Sequence, residues 1–148
     1  MPSLDEYRKK RDFAKSAEPE GELTESGQSR FVVQKHEART LHYDFRLEHS
    51  GMLVSWAVPK GPPEAASQRR LAIQTEDHPV DYIDFEGEIA EGEYGAGTVE
   101  IWDRGHYYLR LWTEKEIKVT LRGQKLEGNY VLVHTDGNRW LFIKERER

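Results

Sequence analysis

The chain has 148 residues, 22 lysines and arginines against 27 aspartates and glutamates, and no cysteine. The length suits one domain, since domains commonly hold about 100–150 residues, and the missing cysteine excludes disulfides, thiolate zinc sites and cysteine nucleophiles. A net charge of -5 argues against a protein that coats nucleic acid nonspecifically, because that affinity comes mainly from lysine and arginine releasing phosphate counterions, while local positive charge is enough to grip a single strand end.

Leu4 to Phe13 is expected to form a short helix, capped by Ser3, with acids in its first turn and bases after them. Its charged start lacks the apolar centre of a secretory signal, and no run approaches the ~18 apolar residues of a membrane span. A soluble, cytoplasmic protein, associated with the nucleoid during its work, is therefore expected. From Ala14 to Ser29 the chain is polar, carries Pro19, Gly21 and Gly27, and reads as a long loop. Long loops in compact domains are often functional.

Beyond Arg30 a two-residue alternation broken by turn signals gives candidate strands near 30–37, 42–49, 52–58, 69–76, 98–103, 106–112, 116–122, 129–135 and 139–144. Ser50-Gly51, Arg104-Gly105, Gly123-Gln124 and Asp136-Gly137 fall between runs and are expected as turns. Segments 59–68 and 84–97 are expected as loops. Many short antiparallel strands in succession predict a mainly β fold, a small antiparallel barrel with short flanking helices. The division expected is a single domain over 1–148, with helix and loop at 1–29 and barrel at 30–148.

The densest chemistry lies in His36-Glu-Ala-Arg-Thr-Leu-His42-Tyr-Asp44-Phe-Arg46. On a strand His42, Asp44 and Arg46 share one face while Tyr43, Phe45 and Leu47 take the other. Manganese, iron and zinc accept imidazole nitrogen and carboxylate oxygen, so His36, His42 and Asp44 can hold one ion with positions left open for water and substrate. His42 and Asp44 lie roughly 7 Å apart along a strand, and His36 must arrive from the neighbouring segment. Arg46 presents a planar fork suited to phosphate oxygens, although a salt bridge with Glu48 or Asp44 would also account for it.

In Glu76-Asp77-His78-Pro79-Val80-Asp81-Tyr82, Pro79 suits the first position of a helical turn, which places His78 and Tyr82 on one side. An imidazole and a phenol so placed can bind a phosphate oxygen or handle a leaving-group proton. Lys60 and Arg70 can add positive charge nearby. The glycine-rich run 86–97 is acidic and matches no phosphate-cradling loop.

Read together, Phe31-Val-Val-Gln-Lys-His36 through Glu48, Ser55-Trp-Ala-Val-Pro-Lys60-Gly-Pro, Glu76-Asp-His78-Pro-Val-Asp-Tyr82 and Glu91-Gly-Glu-Tyr-Gly-Ala-Gly97 resemble the 3′-phosphoesterase domain of bacterial DNA ligase D and its stand-alone relatives. The resemblance runs from about Leu4 to the C-terminus. It implies a manganese-dependent enzyme, with cobalt or zinc as other candidate metals. Such an enzyme removes a 3′-terminal ribonucleoside and then the resulting 3′-phosphate from DNA primer-template ends in nonhomologous end joining.

The resemblance also implies roles for individual residues. Metal ligands fall on His36, His42 and Asp44, and phosphate-contacting and catalytic side chains on Arg46, His78 and Tyr82. Lys60 and Arg70 match positions lining the family's groove, while Arg11, Asp12 and Glu18 match an N-terminal segment that assists ribonucleoside removal. A DNA ligase, a polymerase or an end-binding repair protein are the expected partners of a monomer. Two other readings of the residues stay open. One is an iron and 2-oxoglutarate oxygenase whose triad joins His42 and Asp44 to His106 or His134. The other is a non-catalytic barrel that binds nucleic-acid ends through Trp56, Trp102, Trp112 and Trp140.

Overall fold

A computed structural model describes residues 29–146; the expected helix and loop at 1–28 lie outside them. Ten strands follow in chain order: β1 (Arg30–Glu37), β2 (Leu41–His49), β3 (Met52–Val58), β4 (Arg69–Gln74), β5 (His78–Pro79), β6 (Gly87–Ile89), β7 (Gly97–Trp112), β8 (Glu116–Arg122), β9 (Glu127–Asp136) and β10 (Arg139–Lys144). One 3₁₀ helix, Val80–Asp84, stands between β5 and β6. None of the described helices is long and apolar enough to cross a membrane.

Two antiparallel meanders, β1 to β4 and β7 to β10, meet edge to edge. β4 pairs with β10 and β1 with β7, closing an eight-stranded barrel, with β6 added beside β7 and β5 beside β3. The expected small antiparallel barrel is what forms. Eight strands leave an interior just wide enough to be filled by side chains. Here Phe45, Leu47, Trp56, Leu121, Leu132 and Phe142 fill it, each at most 1% exposed. Truncating one of the aromatic side chains to alanine would cost about 3–5 kcal/mol in transfer and cavity energy.

The expected turn at Arg104-Gly105 does not occur, and 97–112 is one continuous strand. Its first part, Thr98–His106, pairs with β1, and from His106 onward it pairs with β8. Gly105 is needed for close approach, not for turning: a Cβ there would lie 2.0 Å from the carbonyl oxygen of Arg122. The last hairpin also differs by one residue, since Asp136 pairs with Arg139 and the two turn residues are Gly137 and Asn138. Strand β4 stops at Gln74, and the expected loop 84–97 contains β6. The Ser50-Gly51 turn forms as read, with positive φ at both residues, the conformation a tight two-residue hairpin requires.

Asp103 holds the β8–β9 turn against β7. Its buried carboxylate accepts backbone N–H groups of Arg104, Gln124, Lys125 and Leu126 at 2.8–3.1 Å. Strands β1 to β3 are buried on both faces because a second apolar cluster packs outside the barrel. In it Val32 and Leu53 meet Tyr82, Ile83, Phe85 and Ile89 from the 3₁₀ helix and its flanks. That cover, laid over the outer face of β1 to β3, makes one wall of the cleft described next.

Candidate metal centre and phosphate site

Register places the metal-capable residues. His36 on β1 is directly opposite His42 on β2, and Asp44 is two residues further along β2 on the same face. His42 Nε2 lies 3.3 Å from Asp44 Oδ1, and His36 Nδ1 lies 3.6 Å from Asp44 Oδ2. One donor atom from each of the three residues lies within 4.8 Å of the others. Two ligands bonded to one ion at ~2.1 Å can be no further than ~4.2 Å apart, so both contacts to the carboxylate are already within that limit.

The imidazoles are oriented by the backbone. His36 Nε2 lies 2.6 Å from the carbonyl oxygen of Gly95 and His42 Nδ1 lies 3.4 Å from that of Thr40. With a metal bound, donation to those carbonyls would leave His36 Nδ1 and His42 Nε2 to supply lone pairs to the ion, the arrangement typical of ligating histidines. Gly95 has φ +76, and a Cβ on it would meet His36 Cε1 at 3.3 Å. Burial alone would raise the Asp44 pKa, but the charge of Arg46 and hydrogen bonds with His36 and His42 outweigh it. The carboxyl is held well below the usual carboxylate range and is ionised, as a ligand must be. Its hydrogen bond to His42 pushes that imidazole's pKa up against the lowering effect of burial.

Arg46 continues the same face of β2 and is 3% exposed. Its Nε donates to Gln34 Oε1 at 2.7 Å, its Nη2 lies 3.5 Å from Asp44 Oδ2, and the guanidinium stacks 4.8 Å from the centre of the Tyr82 ring. Of the two partners considered for a salt bridge it takes Asp44; Glu48 binds Arg30. Gln34, fully buried on β1, donates from Nε2 to the carbonyls of Tyr82 and Phe85 at 2.8 and 3.2 Å. It thereby ties Arg46 to the 3₁₀ helix.

His78 and Tyr82 stand together as the spacing predicted, their rings edge to face at 4.8 Å. Pro79 caps the 3₁₀ helix and does not begin it. Nδ1 of His78 lies 3.0 Å from the carbonyl of Glu76 and 3.2 Å from Arg46 Nη1. That nitrogen offers either a proton or a lone pair, so it bonds one of these partners at a time.

All six side chains line one cleft of about 330 Å³, together with Ala57, Thr75, Glu76, Ile89, Tyr94 and Gly95. Lys60 is exposed in the turn after β3 and Arg70 sits on β4; neither is among the described residues lining the cleft. Arg11, Asp12 and Glu18 lie outside the described residues. The oxygenase triad does not assemble. His106, on β7, pairs with Arg30 at the start of β1, and His134 contacts the carbonyls of Glu114 and Gly137 beside a separate cavity lined by Trp112 and Trp140. It is His36 that joins His42 and Asp44. Trp56 and Trp140 are core residues, while Trp102 and Trp112 pack partly buried against the core.

Reasoning from the sequence missed Gln34, Glu76 and Gly95. Gln34 directly follows the apolar run Phe31–Val33 and is itself followed by Lys35, so nothing local marks it as buried.

A family model described as the DNA ligase D 3′-phosphoesterase domain matches residues 34–134. The chain is 46% identical over 158 residues to the multifunctional non-homologous end joining protein LigD of Mycolicibacterium smegmatis, covering 98% of this chain and 21% of that protein. It is 49% identical over 145 residues to the multifunctional non-homologous end joining DNA repair protein LigD of Mycobacterium tuberculosis strain H37Rv, covering 93% and 19%. Identity to the LigD of Pseudomonas aeruginosa is 44% over 167 residues, covering 99% and 19%. The chain thus spans about a fifth of the length of the curated relatives it matches.

Proposed function

The chain belongs to the family of DNA ligase D 3′-phosphoesterase domains, and from that membership we propose that it heals DNA 3′ ends as a metal-dependent phosphoesterase. It removes a 3′-terminal ribonucleoside, leaving a 3′-phosphate, and then removes that phosphate to leave 3′-OH, in break repair by nonhomologous end joining. Manganese is the proposed metal, with cobalt and zinc suited to the same nitrogen and oxygen donors. The observation that carries the reading is the convergence of His36, His42 and Asp44 with Arg46, His78 and Tyr82 in one cleft.

His36, His42 and Asp44 would hold the metal, which when bound polarises a phosphoryl oxygen and lowers the pKa of water. Arg46 binds the phosphoryl group. Its side chain is already fixed by Gln34, Asp44 and the Tyr82 ring, so little reorganisation is needed as charge builds on the equatorial oxygens. In each step a P–O bond forms to the attacking oxygen as the bond to the leaving oxygen breaks. His78 and Tyr82, on the cleft wall, hydrogen-bond the phosphoryl oxygens and supply the proton taken by the leaving oxygen. Lys60, Arg70, Arg11, Asp12 and Glu18 are proposed to contact the strand or assist these steps. The proposed setting is a monomer working with a ligase, a polymerase or an end-binding repair protein in the cytoplasm.

The deciding experiment incubates a labelled primer-template carrying one 3′-ribonucleotide with the protein and manganese. Shortened 3′-phosphate and then 3′-OH products are expected. Binding without any product, whatever divalent metal is added, would favour a non-catalytic end-binding module and refute the reading.

A further inference from the structure

We infer that Thr75 reads the sugar at the strand end: its hydroxyl hydrogen-bonds the 2′-OH of a 3′-terminal ribonucleoside held in the cleft and so distinguishes that end from a deoxyribonucleoside one. The inference rests on the proposed action at DNA 3′ ends and deepens it, by naming the group that selects the substrate of the first step.

Thr75 directly follows β4, lines the cleft and is partly buried. Backbone bonds hold this end of the strand in place: Gln74 N donates to Asn138 O at 2.7 Å and Thr75 N to Ser55 O at 3.0 Å. Strand register sets Thr75 in one row with Arg46. Ser55 on β3 is opposite Arg46 on one side and bonded to Thr75 on the other, so two strand spacings, roughly 10 Å, separate the backbones of Arg46 and Thr75. Between them β3 presents small side chains, since Ser55 and Ala57 share a face. Ala57 is opposite Asp44 and also lines the cleft. A phosphoryl group at Arg46 thus has room for a sugar on its β4 side, with Thr75 on the wall beyond.

Hydrogen-bonding character decides what Thr75 meets. Its hydroxyl has no partner among the described residues and is not sealed from solvent. Ser55 beside it differs, because it is fully buried and its hydroxyl donates to Leu53 O at 3.0 Å. A ribose 2′-OH both donates and accepts, and it is the group by which a protein tells RNA from DNA. A threonine hydroxyl has the same two capacities and can pair with it in either sense. Arg46 only donates and is matched to phosphate oxygens, and the ionised Asp44 only accepts and faces His36 and His42. A deoxyribose brings a C–H to the same place and leaves the Thr75 hydroxyl unpaired once the cleft is filled, which weakens binding.

The test compares, by competition anisotropy without divalent metal, the affinities for two primer-templates that differ only in a 3′-terminal ribonucleotide or deoxyribonucleotide. The wild type is expected to prefer the ribonucleotide end about fivefold, the contribution of one neutral hydrogen bond. Thr75→Val, which keeps the shape and removes the hydroxyl, is expected to abolish the preference, and Thr75→Ser to keep it. A preference that survives in Thr75→Val, one that is lost equally in Thr75→Ser, or none in the wild type would each overturn the assignment. Phosphate release by the wild type from a 3′-phosphate primer with manganese is measured alongside. If release is absent while the preference depends on the hydroxyl, the enzymatic reading falls and sugar reading by Thr75 stands. If release occurs while Thr75→Val discriminates like the wild type, only the role of Thr75 falls.

Discussion

Replacing Gln34 by methionine keeps the side-chain length and removes three hydrogen bonds from a site that no water reaches, since Gln34 is 0% exposed. Two of the bonds join neutral groups, Nε2 to the carbonyls of Tyr82 and Phe85 at 2.8 and 3.2 Å. The third, from Arg46 Nε at 2.7 Å, is charge-assisted. Taking about 1 kcal/mol for each neutral bond and about 2 for the charged one gives about 4 kcal/mol. Methionine recovers some of this by burying apolar surface, which leaves a net loss of about 3 kcal/mol. With a urea m-value of about 1.5 kcal/mol/M, the unfolding midpoint should fall by about 2 M. Because the same bond aims Arg46, phosphate release should fall by more than the small unfolded fraction can explain. Gln34→Glu separates the two effects: it keeps an acceptor for Arg46 but cannot donate to the two carbonyls, so it should recover more activity than stability. A Gln34→Met protein with a midpoint within 0.5 M of wild type, in line with a loss under about 1 kcal/mol, and full activity would refute this account of how Arg46 is fixed.

Asp44→Asn should abolish manganese-supported phosphate release while the chain still folds, and calorimetry should find manganese affinity reduced at least tenfold; undiminished affinity would remove Asp44 from the ligand set. Gly95→Ala pushes against His36 from a left-handed backbone, displacing the carbonyl that orients the imidazole, so metal affinity should fall about 10–100-fold, as read by manganese titration. His49, stacked on Trp112 with ring centres 3.8 Å apart, has its pKa lowered by burial. Below about 6.5 the unfolded chain takes up this proton more readily than the folded one, so the stability the group contributes above that pH is lost as pH falls through the folded value. Urea midpoints at pH 7.5 and 5.5 should therefore differ less in His49→Phe than in wild type, and equal differences would count against the assignment.

The alternation of Tyr43, Phe45 and Leu47 against His42, Asp44 and Arg46 could be read directly, because a strand's two-residue period assigns faces without knowledge of its neighbours. The closeness of His78 and Tyr82 was readable for the same local reason, one turn of helix after a proline. Gln34 was not, since its role depends on carbonyls 48 and 51 residues away. Gly105 was misread because a glycine that admits a neighbouring backbone and one that makes a turn look identical in one dimension. His36 was found as a ligand candidate, but that it sits opposite His42, and that Gly95 orients it, depends on how β1, β2 and the loop before β7 come together.

The pairing of β4 with β10 has a consequence for synthesis. As the chain emerges from the ribosome, the first meander can form early, but its β4 edge stays open until residues 139–144 arrive. The seam is therefore sealed last, by the strand that brings Trp140 and Phe142 into the interior. A product that stops short of it would present an unpaired edge beside uncovered aromatic rings, the combination that recruits other nascent chains into aggregates.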